Sequence, residues 1–123
     1  MGARSFTDLK VWQAVYEATL TIYRMTEDLP PRETYGLASQ MRRAAISMGT
    51  NISEGFGRRG PRDKAHFYTI AYGSCEELKH CLLVARGLKY LKTIDPLWSQ
   101  LESISKMLRS LTDCVLAGQV PNA

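Results

Sequence analysis

Residues 42–60 read RRAAISMGTNISEGFGRRG, and the reading of this stretch decides the fold. Its last six residues, Gly55-Phe56-Gly57-Arg58-Arg59-Gly60, match the G-x-G-x-x-G pattern that cradles a dinucleotide's pyrophosphate. That chemistry needs a strand before the glycines and a helix after them, inside a βαβ unit. Here Leu37, Met41, Ala44, Ala45, Met48 and Ile52 precede the glycines, spaced as one face of a helix. No parallel sheet can be built around them, and no acid follows a second strand to hold a ribose. No Gly-Lys-Ser/Thr completes a P-loop either. The glycines therefore read as a helix stop, with Gly55 as the C-terminal cap, followed by a flexible turn.

The chain on either side divides at Pro and Gly. A first helix spans about 8–28, capped by Thr7 or Asp8 and ended by Pro30-Pro31. It carries two adjacent apolar stripes: Val11, Val15, Ala18, Ile22, and Leu9, Trp12, Tyr16, Tyr23. The second helix spans about 34–54. A third, about 61–90, starts at Pro61, a favoured first-turn residue, with a stripe of Phe67, Ile70, Ala71, Ser74, Leu78, Cys81, Ala85 and Leu88. The fourth, about 95–117, opens on Asp95 as cap and Pro96, with Leu97, Leu101, Ile104, Leu108, Leu111 and Val115 alternating at four and three. No segment alternates with period two between hairpin turns. The fold class is all-α, an antiparallel up-down four-helix bundle in one domain, 1–123. The second stripe on helix one, and Tyr68, Tyr72 and Cys75 beside the stripe on helix three, exceed what one core needs and point to self-association.

Pairing helices two and three about the turn sets Ala44 and Ala45 against Gly73 and Ser74. It also sets Arg43 near Glu76 or Glu77. Two readings of the polar stripe on helix two follow. Arg43, Asn51, Glu54 and Glu77 form a packed inter-helix network, or Arg43 faces a ligand or a central channel.

Composition narrows the function. The chain has 123 residues, 45% apolar and 23% charged, as expected of a globular domain. The longest apolar run, Cys81-Leu82-Leu83-Val84-Ala85, is too short to span a bilayer. The start, MGARSFTD, lacks the apolar core of a secretion signal, so a cytoplasmic location is expected, with no membrane partner. Cys75, Cys81 and Cys114 are odd in number and lack C-x-x-C spacing, which argues against a disulfide framework or a zinc site. His66 and His80 lie about four helical turns apart, roughly 21 Å, and cannot share a metal. There is no H-E-x-x-H, paired E-x-x-H or G-x-S-x-G. No enzyme activity, cofactor or metal is expected.

Charge is the positive indication. Between residues 42 and 64 lie six bases (Arg42, Arg43, Arg58, Arg59, Arg62, Lys64) and two acids (Glu54, Asp63), a net +4 that equals the charge of the whole chain. Arg offers forked donors suited to phosphate, and a helix N-terminus favours anions. These six residues are the candidate contacts to RNA or DNA, by charge rather than by base reading.

The motifs also carry a resemblance. Asp8-Leu9-Lys10-Val11-Trp12-Gln13, Tyr35-Gly36-Leu37, Gln40-Met41-Arg42-Arg43-Ala44-Ala45, Ser47, Asn51-Ile52-Ser53-Glu54-Gly55, Ile70-Ala71, Gly73-Ser74 and Glu77-Leu78 occur in order. Together they resemble the four-helix-bundle proteins encoded in intervening sequences of bacterial 23S ribosomal RNA genes. The likeness covers roughly residues 6–92. Ser53, Met48 and Val15 depart from the family's usual residues at the level of packing. The resemblance implies a ring-like homopentamer. A related branch, the accessory proteins of diversity-generating retroelements, forms similar pentamers that bind nucleic acid and a reverse transcriptase through a basic surface. The family name records a gene location rather than an activity. Two functions are therefore carried forward: an electrostatic binder of nucleic acid, and a scaffold for a partner protein such as a reverse transcriptase.

Overall fold

The computed structural model describes residues 2–119. Its elements are helical: α1 (Lys10–Thr26), α2 (Leu37–Gly57), α3 (Pro61–Gly87) and α4 (Leu97–Leu116), with short 3-10 turns at Phe6–Asp8 and Pro31–Glu33. Each helix packs on the next and α4 closes back on α1, while the diagonal pairs stay apart. Consecutive helices run antiparallel, because the later residue's number falls as the earlier one's rises. Across α2 and α3, Gln40 meets Glu77, Ser47 meets Ser74, and Gly55 meets Tyr68. Across α3 and α4, Tyr72 meets Arg109 and Lys79 meets Trp98. Among the described residues, no helix is long and apolar enough to cross a membrane.

The core follows the apolar periodicity. Every residue of the helix-four stripe is buried, as are Met41, Ala44, Ala45, Met48 and Ile52 on α2 and Val11, Val15, Ala18 and Ile22 on α1. Each fully buried Leu or Ile contributes about 1.5–3 kcal/mol relative to exposure. Helix three departs from its expected stripe. Ile70 and Leu88 are exposed, whereas Tyr68, Cys75 and Leu82 are fully buried. α3 is wedged between α2 and α4, so it buries two adjoining faces rather than one. Tyr68 turns toward α2 at Gly55, while the Cys75 thiol donates to the Leu101 carbonyl of α4 at 3.3 Å. Burial pushes the Tyr68 phenol up to about 12.

Helix ends differ from expectation for local reasons. Ser5 and Asp8 form a reciprocal capping box on the first 3-10 turn, which delays α1 to Lys10. Gly55 is not a cap: α2 runs two residues further, and Gly55 is buried inside it. A Cβ on Gly55 would lie 2.7 Å from the Tyr68 ring, so glycine there permits close approach rather than a turn. Gly73 does not share the expected small-residue seam. It is solvent-facing, and nothing lies within 4 Å of a Cβ built on it. Gly49 faces Val15 and Trp12 of α1. α3 stops at Gly87, and Lys89 adopts the left-handed conformation (φ 65°) usually given to glycine. Asp95 accepts from the Ser99 hydroxyl at 3.2 Å and makes no backbone cap on α4.

Candidate nucleic-acid interface

The α2–α3 corner spans three residues. After Gly57 the chain turns extended at Arg58, and α3 begins at Pro61 with Gly60 as its N-cap. Gly60 has no side chain to cap the helix, so α3 presents its first-turn N–H groups at the corner. Four cations cluster there, with unequal freedom. Arg58 lies 3.4 Å from Glu54 and 3.8 Å from Asp63, with its guanidinium 4.6 Å from the Phe67 ring centroid. Lys64 folds back under α2 and donates to the carbonyls of Phe56 (2.7 Å) and Gly55 (3.3 Å), closing off that helix end. Desolvation there lowers its pKa. Arg59 and Arg62 are exposed and make no hydrogen bond or ion pair among the described residues. The free charge of the corner therefore rests on these two.

Arg42 and Arg43 do not join this cluster. Fifteen residues of α2 separate Arg43 from Arg58, roughly 22 Å of helix. Arg42 clasps the end of α1: its Nε donates to Thr26 Oγ1 at 2.8 Å and its Nη2 to the Tyr23 carbonyl at 3.2 Å. Its guanidinium also lies 4.8 Å from the Tyr23 ring centroid. One of its tasks is thus to satisfy a carbonyl at a helix C-terminus, where a cation is favoured by the dipole. Arg43 is exposed, and no ion pair or hydrogen bond engages it among the described residues. It stands on the ridge between two open concavities of about 630 Å³ each.

The expected network of Arg43, Asn51, Glu54 and Glu77 is rearranged. Glu77 accepts from the Gln40 amide at 3.2 Å, not from Arg43. Asn51 donates to the Ser47 carbonyl (2.8 Å) and hydroxyl (3.1 Å), and Ser47 is hydrogen-bonded to Ser74 at 2.8 Å. Glu54 serves Arg58 on the surface. Glu76 turns to the other side of α3, accepting from Ser105 of α4 and from Lys79. The short serine and asparagine groups of this seam bond to one another, and Arg43 is exposed beside them.

Two features were read in part or not at all in the sequence. One is an apolar strip on the α1–α2 face, where Tyr16, Tyr23 and Ile46 are 47%, 38% and 49% exposed; Ile46 is its unannounced member. The second stripe of helix one supplies two of these residues. The other is the bracing of the α1–α2 connection. Glu33 accepts from the Leu37 N–H at 3.1 Å and the Tyr90 hydroxyl at 2.9 Å. These two bonds hold its carboxyl below its ordinary pKa, the Leu37 N–H contributing most. Only the fold brings residue 33 to residue 90, so no local pattern announces this contact. Cys75 and Cys81 are buried and Cys114 is partly covered. Among the described residues no group of His, Cys, Asp and Glu could hold a metal ion.

Known proteins give the same architecture a family. Residues 7–110 match the family model described as 23S rRNA-intervening sequence protein. Among curated proteins, none matches the chain. Among solved structures, the chain is similar to a Bacteroides thetaiotaomicron protein, described as of unknown function and from the S23 ribosomal protein family. Identity is 20%, the TM-score is 0.77, and the alignment covers 84% of this chain and 95% of that one. That likeness carries the four-helix fold.

Proposed function

The chain belongs to the 23S rRNA-intervening sequence protein family, and from that premise we propose a non-enzymatic, homo-oligomeric bundle that binds RNA electrostatically. The observation that carries this reading is the pair Arg59 and Arg62, free of partners among the described residues at the open N-terminus of α3. Phosphate contacts of this kind set affinity and salt dependence without reading sequence. Self-association, with the pentamer as the assembly the family resemblance implies, repeats the pair around a ring and raises the local potential. The exposed strip of Tyr16, Tyr23 and Ile46 supports an interface between subunits. The proposed location is cytoplasmic.

Binding to a structured RNA tests the reading. Affinity falls steeply between about 50 and 200 mM salt if phosphate contacts carry it. Absence of binding near 50 mM salt overturns it. The second reading is a scaffold for an acidic protein partner, favoured by the same apolar strip. A stoichiometric protein co-purifying without nucleic acid selects that reading over the first.

A further inference from the structure

One aromatic ring stands almost wholly in solvent. Tyr35, in the α1–α2 connection, is 95% exposed. The segment that carries it is braced, because Glu33 two residues earlier ties Leu37 to Tyr90 of the α3–α4 connection. Tyr35 is therefore a ring on a fixed shelf rather than on a loose tip. Beside it, between α2 and α3, lies a concavity of about 630 Å³. Arg43 forms part of its wall, as does Glu77 with its bonded Gln40 amide, and the hydroxyls of Ser39, Ser47 and Ser74 also line it. Arg43 sits about 9 Å along α2 from Leu37 and has no partner among the described residues.

These groups ask for a ligand with several chemistries at once. An inorganic anion would use Arg43 and leave the ring idle. An apolar ligand would use the ring and cover the Arg43 guanidinium without giving it a partner. A nucleotide uses the ring, the guanidinium and the carboxylate together. Its base stacks on an aromatic face, its phosphate accepts the forked guanidinium, and its ribose hydroxyls or amino group donate to a carboxylate. We propose that this shelf binds one unpaired nucleotide, the base on Tyr35 and the phosphate on Arg43. The site is roughly 22 Å of helix away from Arg58 and does not depend on the α2–α3 corner. The nucleotide comes either from a free mononucleotide or from an unstacked residue of RNA.

The test uses the full chain carrying R59A and R62A, which removes the free charge of the corner. Calorimetry measures 5′-AMP, adenosine, a short single-stranded oligoadenylate and an RNA duplex of equal charge. The single strand binds more tightly than the duplex if a base must reach Tyr35. Y35A weakens the binding of AMP and single strand by about tenfold or more, and Y35W restores it. R43Q abolishes the preference for AMP over adenosine. Tighter binding of oligoadenylate than of AMP identifies RNA as the source, and equal binding identifies the free nucleotide. Both substituted side chains are exposed and have no partner among the described residues, so the variants keep the fold. The proposal is overturned if Y35A and R43Q leave all affinities unchanged. It is equally overturned if Y35A changes the mass of the assembly while no nucleotide binds, since the shelf is then a subunit contact.

Discussion

Gly55→Ala measures whether the first glycine of the G-x-G-x-x-G is a packing residue. The new Cβ would lie 2.7 and 2.9 Å from two Tyr68 ring carbons and 3.1 Å from the Phe67 Cβ. Tyr68 is 1% exposed, so its ring cannot swing into solvent. Overpacking of this kind costs about 1–3 kcal/mol. The helical preference of Ala over Gly returns at most about 1 kcal/mol, and less near a helix end. The net change is a destabilisation of about 1–2 kcal/mol. The unfolding entropy of 123 residues is about 0.26 kcal/mol/K at about 2.1 cal/mol/K each, so 1 kcal/mol moves Tm by about 4 °C. Gly55→Ala should therefore lower Tm by about 4–8 °C. Gly73→Ala is the internal control: it lies mid-helix with nothing within 4 Å of its Cβ, and should raise Tm by about 4 °C. Both are read by thermal circular dichroism at one protomer concentration, since the proposed assembly makes Tm concentration-dependent. A Gly55→Ala protein that melts at or above wild type refutes the close approach of α2 and Tyr68.

Other outcomes follow from the same contacts. Arg42→Ala removes the clasp on Thr26 and Tyr23 and should cost about 1 kcal/mol in chemical denaturation, its hydrogen bonds being partly solvated. Arg59→Ala and Arg62→Ala, by contrast, should each stay within about 0.5 kcal/mol of wild type. Lys89→Gly should stabilise by about 0.5–1 kcal/mol, because the left-handed backbone there suits glycine. Glu33 has a depressed folded pKa, so its contribution is present above the unfolded pKa and is lost as pH falls through the folded one. Glu33→Gln should then be less stable than wild type at pH 7, and the gap should close in acid, as urea midpoints across pH would reveal.

The sequence made some elements plain and hid others, with physical reasons for both. Helix four lies on two neighbours with one narrow face, so every residue of its stripe of fours and threes is buried, and Ser105, hydrogen-bonded to Cys75 and Glu76, is the buried residue of α4 that the apolar spacing misses. Helix three buries two adjoining faces, and its period is blurred enough that Ile70 and Tyr68 exchange roles. Gly55 and Gly57 look alike on paper, yet only Gly55 meets a ring across the bundle, a contact no local pattern carries. The same holds for charge. Six bases crowd residues 42–64, but whether each is free depends on which carbonyl or carboxylate the fold sets beside it. Arg42 and Lys64 are drawn to helix ends and Arg58 to two acids, while Arg43, Arg59 and Arg62 stay free among the described residues.

The most direct measurement of the proposed function is the slope of log K against log salt for a structured RNA, compared among three proteins. Wild type is set beside R59A/R62A and beside K10A/K106A, which loses the same charge from the α1–α4 groove. Each phosphate contact contributes about 0.7–0.9 to the slope. R59A/R62A should therefore flatten it by about 1.4–1.8 per protomer engaged, and K10A/K106A should leave it near wild type. Equal slopes for wild type and R59A/R62A, or equal flattening by both variants, would contradict an RNA site at the α2–α3 corner.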